Sequence, residues 1–425
     1  MPTIAHLSAL EILDSRGRPT VRATCELAGG AIGTVSVPSG ASTGRAEAVE
    51  LRDGDPARYG GLGCRRAVGH VAGPIHAALA GKSFADQAAL DGALVILDGT
   101  PDKSRLGANA LLAVSLAFAR AVAAERGVPL YRSLANDAGR EPEALPRPTI
   151  NLFSGGKHAG GQMPIQDVLI VPTAPTVDEC LATAYAVYQA AAAGTAERYG
   201  ARALVADEGG LAPPFPDAAA MLDEAVAAID AAGFAPGRDA VLAVDVAASH
   251  FSVDGRYALD PAGGSLTGEE MVETLLGWLD RYPIASIEDG LAEDDWATWP
   301  TLRRRAEGRA LILGDDLLAT NPARIRRAVE IGAADALLLK PNQIGTLTEA
   351  AVARALAVAA GWRTVVSARS GETEDDWLAD LAVGWGGDGL KVGSITRSER
   401  LAKWNRLLAI EAETGWPVVG WPEPR

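Results

Sequence analysis

Two rhythms of apolar and polar residues divide this 425-residue chain. From Ile4 to about Val37, short apolar runs are broken by the turn signals DSRGRP and ELAGGAIG, which predicts strands. From Pro56 to Leu134, apolar residues recur at helical spacing through alanine-rich segments, which predicts amphipathic helices. Together they predict an α+β domain over residues 1–135. Residues 136–148, NDAGREPEALPRP, are polar, carry three prolines and read as a linker. Over 149–425 short apolar runs alternate with longer helical stretches: PTINLFS, QDVLIVP, ALVADE, VLAVDV, IASIED, ALILGDD, ALLLKPN, TVVSARS and LKVGS. That alternation predicts βα units on a parallel sheet. Nine runs lie close to the eight strands that close a (β/α)8 barrel.

The ends of these runs carry the chemistry. Glu208, Asp245, Glu288, Asp315, Lys340, Arg369 and Lys391 each stand at or just past the C-terminal end of a predicted strand. In a barrel those ends form one face, where active sites are built. The sequence shows no further repeat, no low-complexity tract, no Walker loop and no GxGxxG after a strand.

Composition narrows the function classes. Hydrophobic residues make up 48% and charged residues 22%, enough apolar surface for a sizeable core and unlike a disordered chain. Fifty-four acidic against 39 basic residues leave a net charge of −15, which argues against nucleic acid or an anionic membrane as partner and leaves any anionic substrate to a local site. The opening MPTIAHLSALEILDSRG lacks the marks of a signal peptide, and the apolar stretch Ala110–Ala119 is shorter than the roughly 20 residues a bilayer requires. Cys25, Cys64 and Cys180 are too scattered for a disulfide framework or a CxxC site, so a reduced, cytoplasmic setting is expected. Only six of the 39 basic residues are lysines, at 82, 103, 157, 340, 391 and 403, so a lysine inside an apolar run stands out.

Asp245, Glu288 and Asp315 would repel one another on one face unless a cation sat among them, and an all-oxygen donor set suits Mg²⁺. Taken singly, each reads equally as a helix cap or ion-pair partner. Lys340 and Lys391 are candidates for a general base, since desolvation or neighbouring cations lower a lysine's hold on its proton; the plainer role is counter-ion to the acids. The glycine-rich segments SGASTG (39–44) and SGGKHAGG (154–161) permit close backbone approach and closure, or are plain turns. Glu208, before two glycines, can offer a carboxylic acid to a substrate. Arg369 and Ser370 form an anion-binding pair. His158 is a catalytic acid, a pocket donor or a satisfied loop histidine, whereas His6, His70, His76 and His250 show no partner pattern.

Ten segments in order, EILDSRGRPTV, VPSGASTGRAEAVELRDGD, LDGTPDKSRLGANALLAVSLA, GGKHAGG, DEGGLAP, SIEDGLAEDDW, LGDDLLATNP, LLLKPNQIGTLTE, RSGETED and RSERLAKWNRLL, resemble enolase motifs over essentially the whole chain. The resemblance implies an α/β protein with a modified TIM (β/α)8 barrel over 149–425, a smaller N-terminal α+β domain, and a homodimer or higher homo-oligomer. It implies that Asp245, Glu288 and Asp315 hold one Mg²⁺ and that Ser42 helps bind a second. Lys340 would remove the α-proton of a 2-phosphoglycerate-like acid, Lys391 would bind its carboxylate and Glu208 would protonate the leaving hydroxyl. His158, Gln166 and Asp167 would line the substrate pocket, and Arg369 with Ser370 would grip the phosphate.

Departures from the family pattern gather around the leaving group, the phosphate end and the lid. A Gln-Glu pair is Gln166-Asp167, the histidine before the phosphate-binding arginine is Ala368, the proline after SIED is Gly290, and ASEF reads Ala248-Ser249-His250-Phe251. The segment between Tyr257 and Gly268 is also shorter than the family's third mobile loop. The metal acids and both lysines are retained. The expectation is therefore an Mg²⁺-dependent lyase acting on a small phosphorylated or phosphonylated hydroxy acid, as a diverged paralogue of the kind used in phosphinate antibiotic pathways. The alternatives are an ordinary glycolytic enolase and a non-catalytic scaffold.

Overall fold

The computed structural model describes residues 1–41, 44–200, 204–260 and 263–420. At the N-terminus, Ile4–Leu13, Pro19–Leu27 and Ile32–Ser36 form a three-stranded antiparallel sheet in sequential order. Alternation along the middle strand buries Val21, Ala23, Cys25 and Leu27 on one face. That face lies against the helix Ala108–Arg126, which an alanine-rich sequence favours and which ends where Gly127 turns left-handed. This helix was expected to be amphipathic. It is buried on all sides over Ala108–Ala119, because the sheet covers one flank and further helices and the segment after the sixth barrel strand cover the others. By length and hydropathy it could cross a membrane, yet 83% of its apolar window lies inside the protein, as in a core helix.

The barrel consists of eight strands, in order Arg147–Ser154, Asp167–Pro172, Ala240–Asp245, Ile284–Glu288, Leu311–Gly314, Ala336–Leu339, Arg363–Ser367 and Gly389–Lys391. They close consecutively, the eighth pairing with the first. Leu169, Ala243, Leu313, Leu338 and Val365 fill the interior below the rim. Five of the outer helices begin on side-chain caps: Thr176, Asp217, Thr267, Asn321 and Thr346 each accept a backbone N–H from the first turn.

Two expectations are corrected. Of the nine apolar runs, ALVADE is not a barrel strand: among its described residues, Val205 makes an isolated bridge to Leu211 in the loop between helices Val177–Tyr199 and Ala218–Ala231. The sheet is also not wholly parallel, since the second strand runs antiparallel to the first and the third. A short loop carrying the 3₁₀ turn Gly156–Ala159 returns the chain at the rim where the first strand ended, so no crossover helix intervenes. The second strand therefore presents its N-terminal residue, Asp167, at the face where the others present their C-terminal residues.

The N-terminal domain reaches this same rim. Ser39 and Gly371 exchange backbone hydrogen bonds of 2.8 and 2.9 Å, and Ser15 N–H donates to the Glu372 carbonyl at 2.7 Å.

Cys25, Cys64 and Cys180 are free and buried, and burial pushes their thiols up to about 12, 12 and 11. Because the thiolate is the reactive form, all three should resist a thiol-disulfide reagent in the native protein at pH 8 and react stoichiometrically once denatured. Fast native labelling of any of them would contradict this packing.

Candidate active site

Every barrel strand delivers a residue to one rim. Ser154 ends the first strand and Asp167 begins the second, while Asp245, Glu288 and Lys391 close the third, fourth and eighth. Asp315, Lys340 and Ala368 follow immediately after the fifth, sixth and seventh. Register sets their order: Ser154 is opposite Asp167, Asp167 opposite Asp245, and Asp245 opposite Glu288. Residues paired across neighbouring strands point to the same side, so three acids are driven together by backbone pairing alone.

The two lysines hold these acids apart. Lys391 Nζ lies 2.9 Å from Asp245 Oδ2 and 2.7 Å from Glu288 Oε2, and Lys340 Nζ pairs with Asp315. Burial is the largest single influence and pushes both ammonium groups down, but the neighbouring carboxylates together outweigh it, Asp315 with Glu288 at Lys340, and Asp245 with Glu288 and Asp167 at Lys391. Both lysines hold their protons more tightly than usual, contrary to the expectation of a base loosened by desolvation. For Glu288, burial and then the neighbouring Asp245 raise the carboxyl well above its ordinary value.

Gln166 Nε2 donates to Asp245 Oδ2 at 3.1 Å, and its Oε1 is buried with no partner among the described residues. On the opposite side, His158 Nδ1 lies 2.8 Å from Asp167 Oδ2 and Nε2 lies 3.6 Å from Glu208 Oε1. Glu208 reaches the rim from the inter-helix loop rather than from a strand end. The loop seats closely there because residue 210 is glycine: a Cβ would stand 2.4 Å from Ser154 Oγ. Arg369 pairs with Glu47 at 3.0 Å and with Asn342 at 3.1 Å, and Ser370 Oγ accepts Arg16 and the Ala41 amide. Ser42 lies outside the described residues.

His158, Gln166, Glu208, Asp245, Lys340, Ala368, Arg369, Ser370 and Lys391 line a common cavity of about 10 Å³, room for one water. Beyond Arg369, a second cavity of about 350 Å³ is lined by Pro38, Gly40, Gly44, Glu47, Arg52 and Asn342. Ala368 faces the first cavity directly. Gly290 is set apart from it, packed so closely under Leu275 and Leu302 that a Cβ would stand 2.9 Å from Leu275 Cδ1, and that departure belongs to the core.

Several contributors were not singled out in the sequence. Asp289 accepts the amides of Asp315 and Asp316 at 2.9 and 2.7 Å and fixes the turn after the fifth strand. Gln343 donates to Asp315 Oδ1, and Asn151 donates to Glu208 Oε2. Arg16 lies within the quoted DSRGRP turn and Glu47 follows SGASTG, so the signals were present; their pairing with Ser370 and Arg369 was not visible without the fold.

The donor set accommodates Mg²⁺. Asp245, Glu288 and Asp315 are buried beside Lys340, Lys391 and Arg369, and the push that Asp245 adds to burial in raising the Glu288 carboxyl is one that a divalent cation there would relieve. Asp245, Glu288 and Asp315 offer oxygen donors only. The donor groups that converge within 4.8 Å among the described residues are His158, Asp167 and Glu208, and Asp289, Asp315 and Asp316; Asp245, Glu288 and Asp315 do not form one, with Lys391 and Lys340 seated on them. In the second, Asp289 is already engaged by backbone amides.

A family model described as the enolase N-terminal domain matches residues 4–134, and one described as the enolase C-terminal TIM barrel domain matches residues 142–419.

Burial pushes the His158 imidazole down, but Glu208 and Asp167 override it and raise it to about 9, while Glu208 is drawn down to about 2. A raised histidine stabilises the fold fully below its unfolded value of about 6.5, and that contribution is lost as pH rises through about 9. Urea unfolding of wild type and His158→Gln should therefore differ most near pH 6 and converge toward pH 9.5. A gap that widens with pH would reverse the sign of the shift.

Proposed function

The chain belongs to the enolase family, and we propose that it is an Mg²⁺-dependent lyase that takes the α-proton from a 2-phosphoglycerate-like acid and expels the β-hydroxyl to give an enolpyruvate ester. We assign it to a diverged branch acting on a phosphonyl analogue, as carboxyphosphonoenolpyruvate synthase does, and to a cytoplasmic homo-oligomer. The observation that carries the lyase reading is the grouping of Lys340 and Lys391 with Asp245, Glu288 and Asp315 at one buried rim, bordered by Arg369.

Asp245, Glu288 and Asp315 would hold the metal. When bound, Mg²⁺ stabilises the negative charge that builds on the substrate carboxylate as the α-proton leaves. Lys391 binds that carboxylate and Lys340 takes the proton. Lys340 can act as base only when it is neutral, so its pairing with Asp315 must give way as the site fills. Arg369 and Ser370 hold the phosphorus-bearing end, which enters from the cavity lined by Pro38, Gly40 and Glu47. Glu208, across the cavity, passes a proton to the departing hydroxyl. Ala368 favours a substrate larger at this end, because a methyl group beside Arg369 leaves space that an imidazole would fill.

Mg²⁺ titrated into metal-free protein should bind and raise the melting temperature by linkage. Replacing Asp245 by Asn should weaken both effects at least tenfold in Kd, and an unchanged titration would remove Asp245 from the metal site. In D₂O with 2-phosphoglycerate, wild type should exchange the α-proton and Lys340→Ala should not. Turnover of that substrate should be roughly a hundredfold or more below that of an ordinary enolase, because Ala368 leaves its phosphate end loosely held beside Arg369. Exchange persisting in the mutant would assign the base elsewhere, and rapid dehydration by wild type would make the protein a glycolytic enolase.

A further inference from the structure

Asp167 was expected to line the substrate pocket, yet its side chain is fully buried and both oxygens are engaged. Oδ1 accepts the Ser154 hydroxyl at 2.5 Å, and Oδ2 lies 2.8 Å from His158 Nδ1. His158 and Glu208 line the cavity, with Asp167 and Ser154 behind them. Across the imidazole ring, Nε2 lies 3.6 Å from Glu208 Oε1, and Asn151 fixes the other Glu208 oxygen at 3.1 Å. The four side chains form a single file from the barrel wall to the cavity. A glutamate at 167 would carry its carboxylate about 1.5 Å further and could not keep both contacts from the same backbone position.

We propose that Asp167 is a positioning residue that never touches substrate: it holds the His158 ring with a proton on Nδ1, so that Nε2–H faces Glu208 and His158 stores the proton that the departing hydroxyl takes up through Glu208. A carboxylate beside one imidazole nitrogen sets which nitrogen carries hydrogen and steadies the cation. The inference rests on the lyase reading above. In the step, Lys340 takes the α-proton and its electron pair forms the new carbon–carbon double bond. The carbon–oxygen bond breaks with its pair on oxygen, and Glu208, a carboxylate at rest, takes the proton of His158 Nε2–H and passes it to that oxygen so that water leaves. His158 regains a proton from solvent as Lys340 releases one, so protons balance in each turnover.

The test separates proton abstraction from elimination, using 2-phosphoglycerate in D₂O with Asp167→Asn and Asp167→Glu. Both variants should exchange the α-proton within about twofold of wild type, whereas kcat for dehydration should fall at least tenfold with KM within about twofold, the order expected when a general acid is impaired. Dehydration by Asp167→Glu at or above the wild-type rate, or a raised KM with unchanged kcat in Asp167→Asn, would place Asp167 on the substrate and overturn the proposal. Nitrogen-15 spectra of histidine-labelled protein give a readout independent of substrate and, for the wild type, of any variant's folding. His158 should show a protonated Nδ1 in wild type, with its signals moved by Asp167→Asn; an unprotonated Nδ1 in wild type overturns the proposal. If wild type neither exchanges nor dehydrates 2-phosphoglycerate, the lyase reading fails on that substrate, and the nitrogen spectra still decide the role of Asp167.

Discussion

Lys391 sits within 2.9 Å of both Asp245 and Glu288 where water scarcely reaches, and that contact is the constraint around which the rim is organised. Removing ionised groups from water costs several kcal/mol each unless they are paired, and backbone register has already set the acids side by side. Beyond burial, Asp245 still acts on Glu288 across Lys391 and helps raise its carboxyl, and the hold of Lys340 on its proton is tied to whatever else contacts Asp315.

The reversed second strand has an equally specific effect. In an all-parallel barrel residue 167 would lie at the bottom of its strand, far from the chemistry. Running antiparallel, the strand brings Asp167 beside Ser154 and Asp245, and the loop that reverses the chain carries His158. The same topology frees the two following helices to cross outside the barrel and lower Glu208 onto the rim. The N-terminal domain completes the other side: Arg16 and Ala41 bond Ser370, and Glu47 pairs with Arg369, so the Arg369–Ser370 end of the rim is shared between domains.

The two substitutions nearest the chemistry act differently. Ala368 faces the cavity and changes its volume, so it bears on which substrate fits. Asp167 is withdrawn into the wall and sets what stands behind His158, the contact on which the proposed proton supply rests. Gly290 touches neither and belongs to the packing under Leu275 and Leu302.

Hydrophobic periodicity by itself determined the small strand-and-helix unit before the barrel, and the run-ending residues Asp245, Glu288, Asp315, Lys340 and Lys391 could be read as one face because strand ends in a barrel converge. Those are local facts, carried by side-chain period and chain order. Periodicity carries no strand direction, so the antiparallel second strand was invisible, and an apolar run in a loop looked like a ninth strand. Nor could the sequence show which lysine pairs with which acid, that both oxygens of Asp167 are already taken, or that Arg16 and Glu47 reach the seventh strand's end. Those contacts join residues up to about 350 positions apart, and only the closed barrel with its docked N-terminal domain brings them within hydrogen-bonding distance.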